Sequence, residues 1–183
     1  MSDRSPIIVV VADIEYFSSP GTSLVLDDRH FPVLIATWLG KASIEAAQAL
    51  GDWVRRMAAR AVQQDVGFVL VYDSTQLEAK PSAKLRAFMA RDLDALDASA
   101  CGDRFLGVLV RAEDKLLRSK VAMLTWLLTR RVRITTMNSM ESALLQAKLM
   151  LESAGYVPPA QLEPSRYERP LLPDETLDDV SVG

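Results

Sequence analysis

The chain is predicted to be an α/β protein, on three observations. Two apolar strand runs, Arg104-Phe-Leu-Gly-Val-Leu-Val110 and Arg131-Val-Arg-Ile-Thr135, flank a helix-length apolar segment at 114–129. A connection of that length between strands implies a right-handed crossover and parallel pairing. A third run, Gly67-Phe-Val-Leu-Val-Tyr72, is almost continuously apolar, as a central parallel strand buried on both faces should be.

The remaining elements follow in order. Residues 7–17 are β-branched and aromatic and read as one extended segment, broken by Ser18-Ser-Pro-Gly21. Residues 22–27 and 31–38 are expected to form an antiparallel hairpin about the turn Asp27-Asp28-Arg29-His30. Ser43 starts a helix to about Gln64, with Ile44, Ala47, Leu50, Val54, Met57 and Ala61 on its apolar face. Asp73 is expected to close the 67–72 strand, before a polar loop. Pro81 holds the preceding residue extended, and Ser82 suits the N-cap of a helix whose apolar face is Leu85, Phe88, Met89, Leu93 and Leu96. The last helix, 139–151, is expected to be capped by Asn138 with Glu141. The expected architecture is thus an N-terminal antiparallel hairpin leading into a mostly parallel mixed sheet with about four helices.

Composition bounds the rest. The 183 residues are 49% hydrophobic and 25% charged, enough for one buried core. A net charge of −3 is mild and gives no global argument for nucleic acid, which is not expected as a partner. The single cysteine, Cys101, excludes an internal disulfide and fits a cytoplasmic setting. The apolar run at 7–12 is far shorter than the ~20 residues of a membrane span and lacks the form of a signal peptide. Residues 156–183 hold five of the nine prolines and six acids against two arginines, the composition of an extended tail. The expected divisions are an N-terminal extension (1–21) with an extra strand, a central domain (22–154) and a proline-rich acidic tail (155–183).

Several segments together resemble one family. Arg104-Phe-Leu-Gly-Val-Leu-Val, the tryptophan-bearing segment 116–128, Val132-Arg-Ile-Thr, Met140-Glu-Ser-Ala-Leu and the Asp-terminated strand Val69-Leu-Val-Tyr-Asp73 resemble the STAS domain superfamily, in its SpoIIAA-like (STAS/SEC14-like) branch. The likeness spans about residues 22–151 and leaves out residues 7–17 and the tail. It implies a non-enzymatic regulatory module that binds a protein partner, in some members under control of serine phosphorylation at the start of the helix after the Asp-terminated strand. SEC14-like relatives imply, as the alternative, an apolar ligand or an anionic membrane surface.

The candidate sites are few. By position the resemblance makes Ser82 the candidate phospho-acceptor, and a helix N-terminus favours a phosphate. The family's Asp-Ser-Ser-Gly signature is replaced by Lys80-Pro-Ser-Ala-Lys84, and a plain N-cap is the other reading of Ser82. On segment 114–129, Leu117, Val121, Leu124 and Leu128 form one apolar stripe, and Leu116, Met123, Trp126 and Leu127 are apolar surface in excess of it. From Arg111 to Arg133 there are seven basic residues and two acids, a local net of +5. Leu116, Arg118, Met123, Trp126, Leu127, Arg130 and Arg131 are therefore the candidate partner or membrane surface, which would also serve self-association. A deeply buried helix with solvated basic ends is the alternative. The only histidine, His30, lies in the hairpin turn and leaves a catalytic triad or histidine metal site without its partners. Gly40-Lys-Ala-Ser43 lacks the upstream glycine of a phosphate loop, and no Gly-x-Gly-x-x-Gly follows a strand. No cofactor or metal is expected. Asp92, Asp94 and Asp97 read as a solvated helix face. The tail motif Arg169-Pro-Leu-Leu-Pro-Asp174 reads either as a groove-docking segment or as a spacer.

Overall fold

The computed structural model describes residues 6–79, 81–99, 101–112 and 133–173. Seven strands form one mixed sheet in sequential order: β1 (Ile7–Val11), β2 (Ile14–Ser19), β3 (Thr22–Asp27), β4 (Val33–Gly40), β5 (Phe68–Leu77), β6 (Phe105–Arg111) and β7 (Ile134–Met137). Helices α1 (Ile44–Gln63) and α2 (Ala83–Asp97) precede β5 and β6, and α3 (Met140–Ser153) follows β7.

The mostly parallel sheet expected from sequence is corrected. β1 to β4 form an antiparallel meander, and only β4 to β7 are parallel. The cause lies in residues 7–17, which fold back on themselves instead of forming one strand. A two-residue loop at Ala12 and Asp13, with Ala12 at a φ of 52°, closes on the pair Val11–Ile14. Three helices are described; the segment expected as a further helix, 114–129, lies outside the described residues.

Three boundaries also move. β5 runs past Asp73 to Leu77, because Gln76 and Leu77 pair with Leu39 and Gly40 of β4. The cap of α3 is Ser139 rather than Asn138. Its Oγ accepts from the N–H of Ser142 at 3.1 Å, and the Ser142 hydroxyl accepts from the N–H of Ser139 at 3.2 Å. β4 starts two residues later than expected, after the cis Phe31–Pro32 bond in the turn. Gly40 is required where β4 ends. It has a φ of +73°, and a Cβ there would lie 2.6 Å from the carbonyl oxygen of Gly21.

Strand alternation sorts the core into two layers. Leu24, Leu26, Leu34, Ala36, Trp38, Phe68, Leu70, Tyr72, Val108 and Val110 face α1 and α2. Trp53 of α1 is fully buried among them; it lies off the apolar stripe read from the sequence. Val33, Ile35, Val69, Val71 and Leu109 face α3, with Ala143, Leu144, Ala147 and Leu151 above them. The central strands are therefore apolar throughout because both faces are covered.

Candidate functional site

On the α3 side of the sheet, residues 156–173 pack beside that helix. Pro159, Leu162 and Pro170 are buried there, and Leu162 joins the apolar layer of Val33, Ile35, Val69 and Val71. Part of the expected tail is thus a strap against the sheet. A turn from Pro159 to Leu162, with an N–H to C=O bond of 3.1 Å, shapes its start. Lys148 Nζ reaches the Leu162 carbonyl at 3.4 Å.

Beneath the strap the sheet face turns polar. Asp27, next in the alternation after Val25, is 1% exposed. A buried carboxylate is tolerated only when its lone pairs are used, and those of Asp27 are. Arg29 donates Nε to Oδ1 at 2.9 Å and Nη2 to Oδ2 at 2.8 Å, and its backbone N–H adds a bond of 3.1 Å. The Tyr167 hydroxyl donates to Oδ2 at 3.1 Å. Arg29 Nη2 also donates to the carbonyl of Glu168 at 3.2 Å, and Gln161 donates to the carbonyl of Arg29 at 3.4 Å. Asp27 and Arg29 therefore latch the strap at both the Gln161 and the Tyr167–Glu168 stretches.

One further pair extends this layer. Asp73 and Arg111 are register partners on β5 and β6, and Arg111 Nη1 lies 3.0 Å from Asp73 Oδ2. The other oxygen of Asp73 accepts from the N–H and hydroxyl of Thr75 at 3.1 Å and 2.8 Å. On the α1 side of the sheet, Asp28 is paired with Arg60 Nη1 at 2.9 Å, and that guanidinium sits 4.1 Å from the Phe31 ring centroid. Burial raises the pKa of Asp28, against the lowering pull of Arg60. Burial, and then the Asp27 carboxylate, raise that of Tyr167, so it remains a neutral donor.

His30 packs edge-on to Tyr167, with ring centroids 5.9 Å apart. Burial lowers its pKa, and its Nδ1 is buried without a hydrogen-bond partner. Among the described residues, the buried carboxylates of this layer, Asp27 and Asp73, are each paired with an arginine, so the layer holds the chain in place. Among the described residues no group of three or more His, Cys, Asp or Glu could hold a metal ion.

The opposite face carries a cavity of about 170 Å³ between α1, α2 and the sheet. Its lining is mainly apolar, with Leu50, Val54, Met89, Leu93, Val108 and Val110 among the walls and Asp92 with Arg55 at the rim. Ser82 lies at the N-terminus of α2 on this side. It is exposed, and its Oγ accepts from the N–H of Leu85 at 3.1 Å, so it is an N-cap. Lys84 is exposed beside it, and Arg86 donates to the carbonyl of Pro81. Asp92 binds Arg55 of α1 instead of facing solvent alone.

Leu116, Arg118, Met123, Trp126, Leu127, Arg130 and Arg131 lie outside the described residues. The Asp27–Arg29–Tyr167 latch and the Asp73–Arg111 pair were not singled out from the sequence as sites. The available signal was a charged residue at the end of an apolar strand: Asp27 after Leu24-Val-Leu, Asp73 after Val69-Leu-Val-Tyr, and Arg111 after Val108-Leu-Val.

No protein family profile matches the chain, and no curated protein matches it. Two solved structures are similar to it. One is the crystal structure of an anti-sigma factor antagonist from Mycobacterium paratuberculosis, 18% identical with a TM-score of 0.45, the match covering 72% of this chain and 98% of that one. The other is an uncharacterised protein with a SpoIIAA-like fold from Shewanella loihica, 16% identical with a TM-score of 0.47, the match covering 80% of this chain and 98% of that one.

Proposed function

We propose that the chain is a cytoplasmic, non-enzymatic regulatory module of STAS/SpoIIAA-like type, from a bacterium, that binds a protein partner through the 114–129 segment. One observation carries the reading: seven basic residues against two acids between Arg111 and Arg133 flank an apolar excess that contains Trp126. Tryptophan ringed by arginine is the composition of binding hot spots. The pairing of Asp27 and Asp73 with Arg29 and Arg111 supports a binding role, since it commits the two buried carboxylates under the strap to holding the chain.

The test is capture of partners from the host by the tagged full chain, with Trp126→Glu as the control. A protein retained by the wild type and lost by a folded Trp126→Glu variant is the expected result. Loss of cooperative unfolding in that variant would mean that Trp126 is core and would overturn the reading. Ser82 adds regulation: Ser82→Asp, but not Ser82→Ala, should change partner affinity.

The cavity beside α2 favours a second reading, an apolar-ligand or anionic-membrane-surface protein. A space of about 170 Å³ suits one small apolar molecule and is smaller than the several hundred Å³ of ordinary ligand pockets. Surface binding would weaken with salt, since each basic residue near anionic lipid contributes about 1 kcal/mol. Binding indifferent to anionic lipid content excludes that form.

A further inference from the structure

The two edges of the sheet are treated differently. β7 is short, carries Thr135 and Thr136, and is preceded by the exposed Arg133. Those are ordinary ways to blunt a sheet edge. β1 is one residue longer and has the exposed Pro6 before it, but within the strand itself nothing polar or charged blunts it. It is Ile7-Ile-Val-Val-Val11, and its five residues are between 39% and 61% exposed. Both faces are therefore open, and among the described residues nothing pairs along its outer side. It contains no charge, proline or bulge, and among the described residues it pairs with β2 alone.

The backbone is equally specific. The two-residue loop closes on Val11 and Ile14, so Val11, Val9 and Ile7 exchange hydrogen bonds with β2. The N–H and C=O groups of Ile8 and Val10 then point outward. We propose that β1 is a self-association strand: two copies of this chain pair β1 to β1 antiparallel about a two-fold axis at Val9, joining two seven-stranded sheets into one.

In that register Ile8 exchanges both bonds with Val10 of the second copy, Ile7 faces Val11, and Val9 faces itself as a non-bonded pair. Every cross-strand contact is β-branched against β-branched, which sheets favour. A charged or polar peptide has nothing to match on this strand, whereas a second β1 matches it on both faces. Head-to-tail pairing of β1 with β7 would grow open filaments, but the polar, arginine-flanked β7 is a poor complement. The closed two-fold pair remains. Five residues a side make a small interface, so the association is weak and concentration-dependent. The strand is no part of the 114–129 segment, and its test does not depend on the partner reading.

The experiment is sedimentation of the full chain from micromolar to near-millimolar concentration, beside Val9→Lys, with disulfide trapping in a Cys101→Ser background. The mass should rise from 20.2 kDa toward twice that value, and Val9→Lys should weaken the dimer at least about tenfold, because it sets two like charges opposite each other. Val9→Cys should oxidise to a covalent dimer, since non-bonded antiparallel pairs sit about 4.5 Å apart at Cα, within disulfide reach. Ile8→Cys alone should link several-fold less, and Ile7→Cys should link with Val11→Cys when the two are mixed. Because β1 is exposed, Val9→Lys should keep the wild-type unfolding midpoint, so loss of association is not loss of fold. A monomer at every concentration, or a dimer that Val9→Lys leaves intact, overturns the proposal.

Discussion

The two faces of the sheet are held by different physics. The α1/α2 face is a hydrophobic layer in which Trp38 and Tyr72 lie 6.0 Å apart and Phe68 stacks on Phe105 at 5.1 Å. Its cohesion comes from area removed from water and from close packing. The strap face has a smaller apolar layer and then the Asp27–Arg29–Tyr167 and Asp73–Arg111 contacts. Apolar packing is spread over many residues and fails globally. The latch is concentrated in a few directional bonds and should fail locally, by release of residues 156–173.

The largest expected effect is on the apolar face. Trp53→Ala should cost about 3–5 kcal/mol, the usual range for removing a buried tryptophan, and urea unfolding should lose its midpoint without gaining a second transition. A loss below about 1 kcal/mol would mean that α1 repacks freely.

Asp27→Asn comes next. It keeps the shape but removes the charge that Arg29 and Tyr167 engage, and the half-exposed Arg29 regains water, so a cost of about 2 kcal/mol is expected. The distinguishing readout is proteolysis: residues 156–173 should be cut faster than the strands, whereas Trp53→Ala should speed cleavage everywhere. Uniform cleavage in Asp27→Asn would erase the contrast between the faces.

Tyr167→Phe removes one hydrogen bond to a charged acceptor and leaves the ring against His30. It should cost about 1.5 kcal/mol or somewhat more, with strap release measured by amide exchange in α3 and the strap.

The smallest effect is a pH dependence at His30. Burial holds its folded pKa below the ordinary 6.5, so the folded state favours the neutral ring. Its contribution is fully present above pH 6.5 and declines as pH falls through the folded value. Asp28 acts in the other direction: its raised pKa means that stability is lost as pH rises through that folded value. Unfolding midpoints between pH 7 and 5 should therefore fall for the wild type and flatten in His30→Phe.

Much of the architecture was legible from residue order because burial on two faces writes itself as an unbroken apolar run. The runs at β5 and β6, the cap Ser43 with its helix, and the Ser82 cap are local patterns, and local physics decides them. The α/β class and the parallel β6–β7 pair belong to the same group. Whether residues 7–17 made one strand or two was not decided locally, because a β-branched run is compatible with either until Ala12 adopts its left-handed turn. The reach of β5 to Leu77 came from pairing with Leu39 and Gly40, residues far away in sequence. The strap is the clearest case. A proline-rich, acidic stretch has the composition of a tail, and only the tertiary fold supplied the apolar seat for Leu162 and the Asp27 acceptor for Tyr167. A carboxylate at the end of an apolar strand is a visible signal, but its partner lies 140 residues on, and a contact at that separation exists only once the sheet has formed.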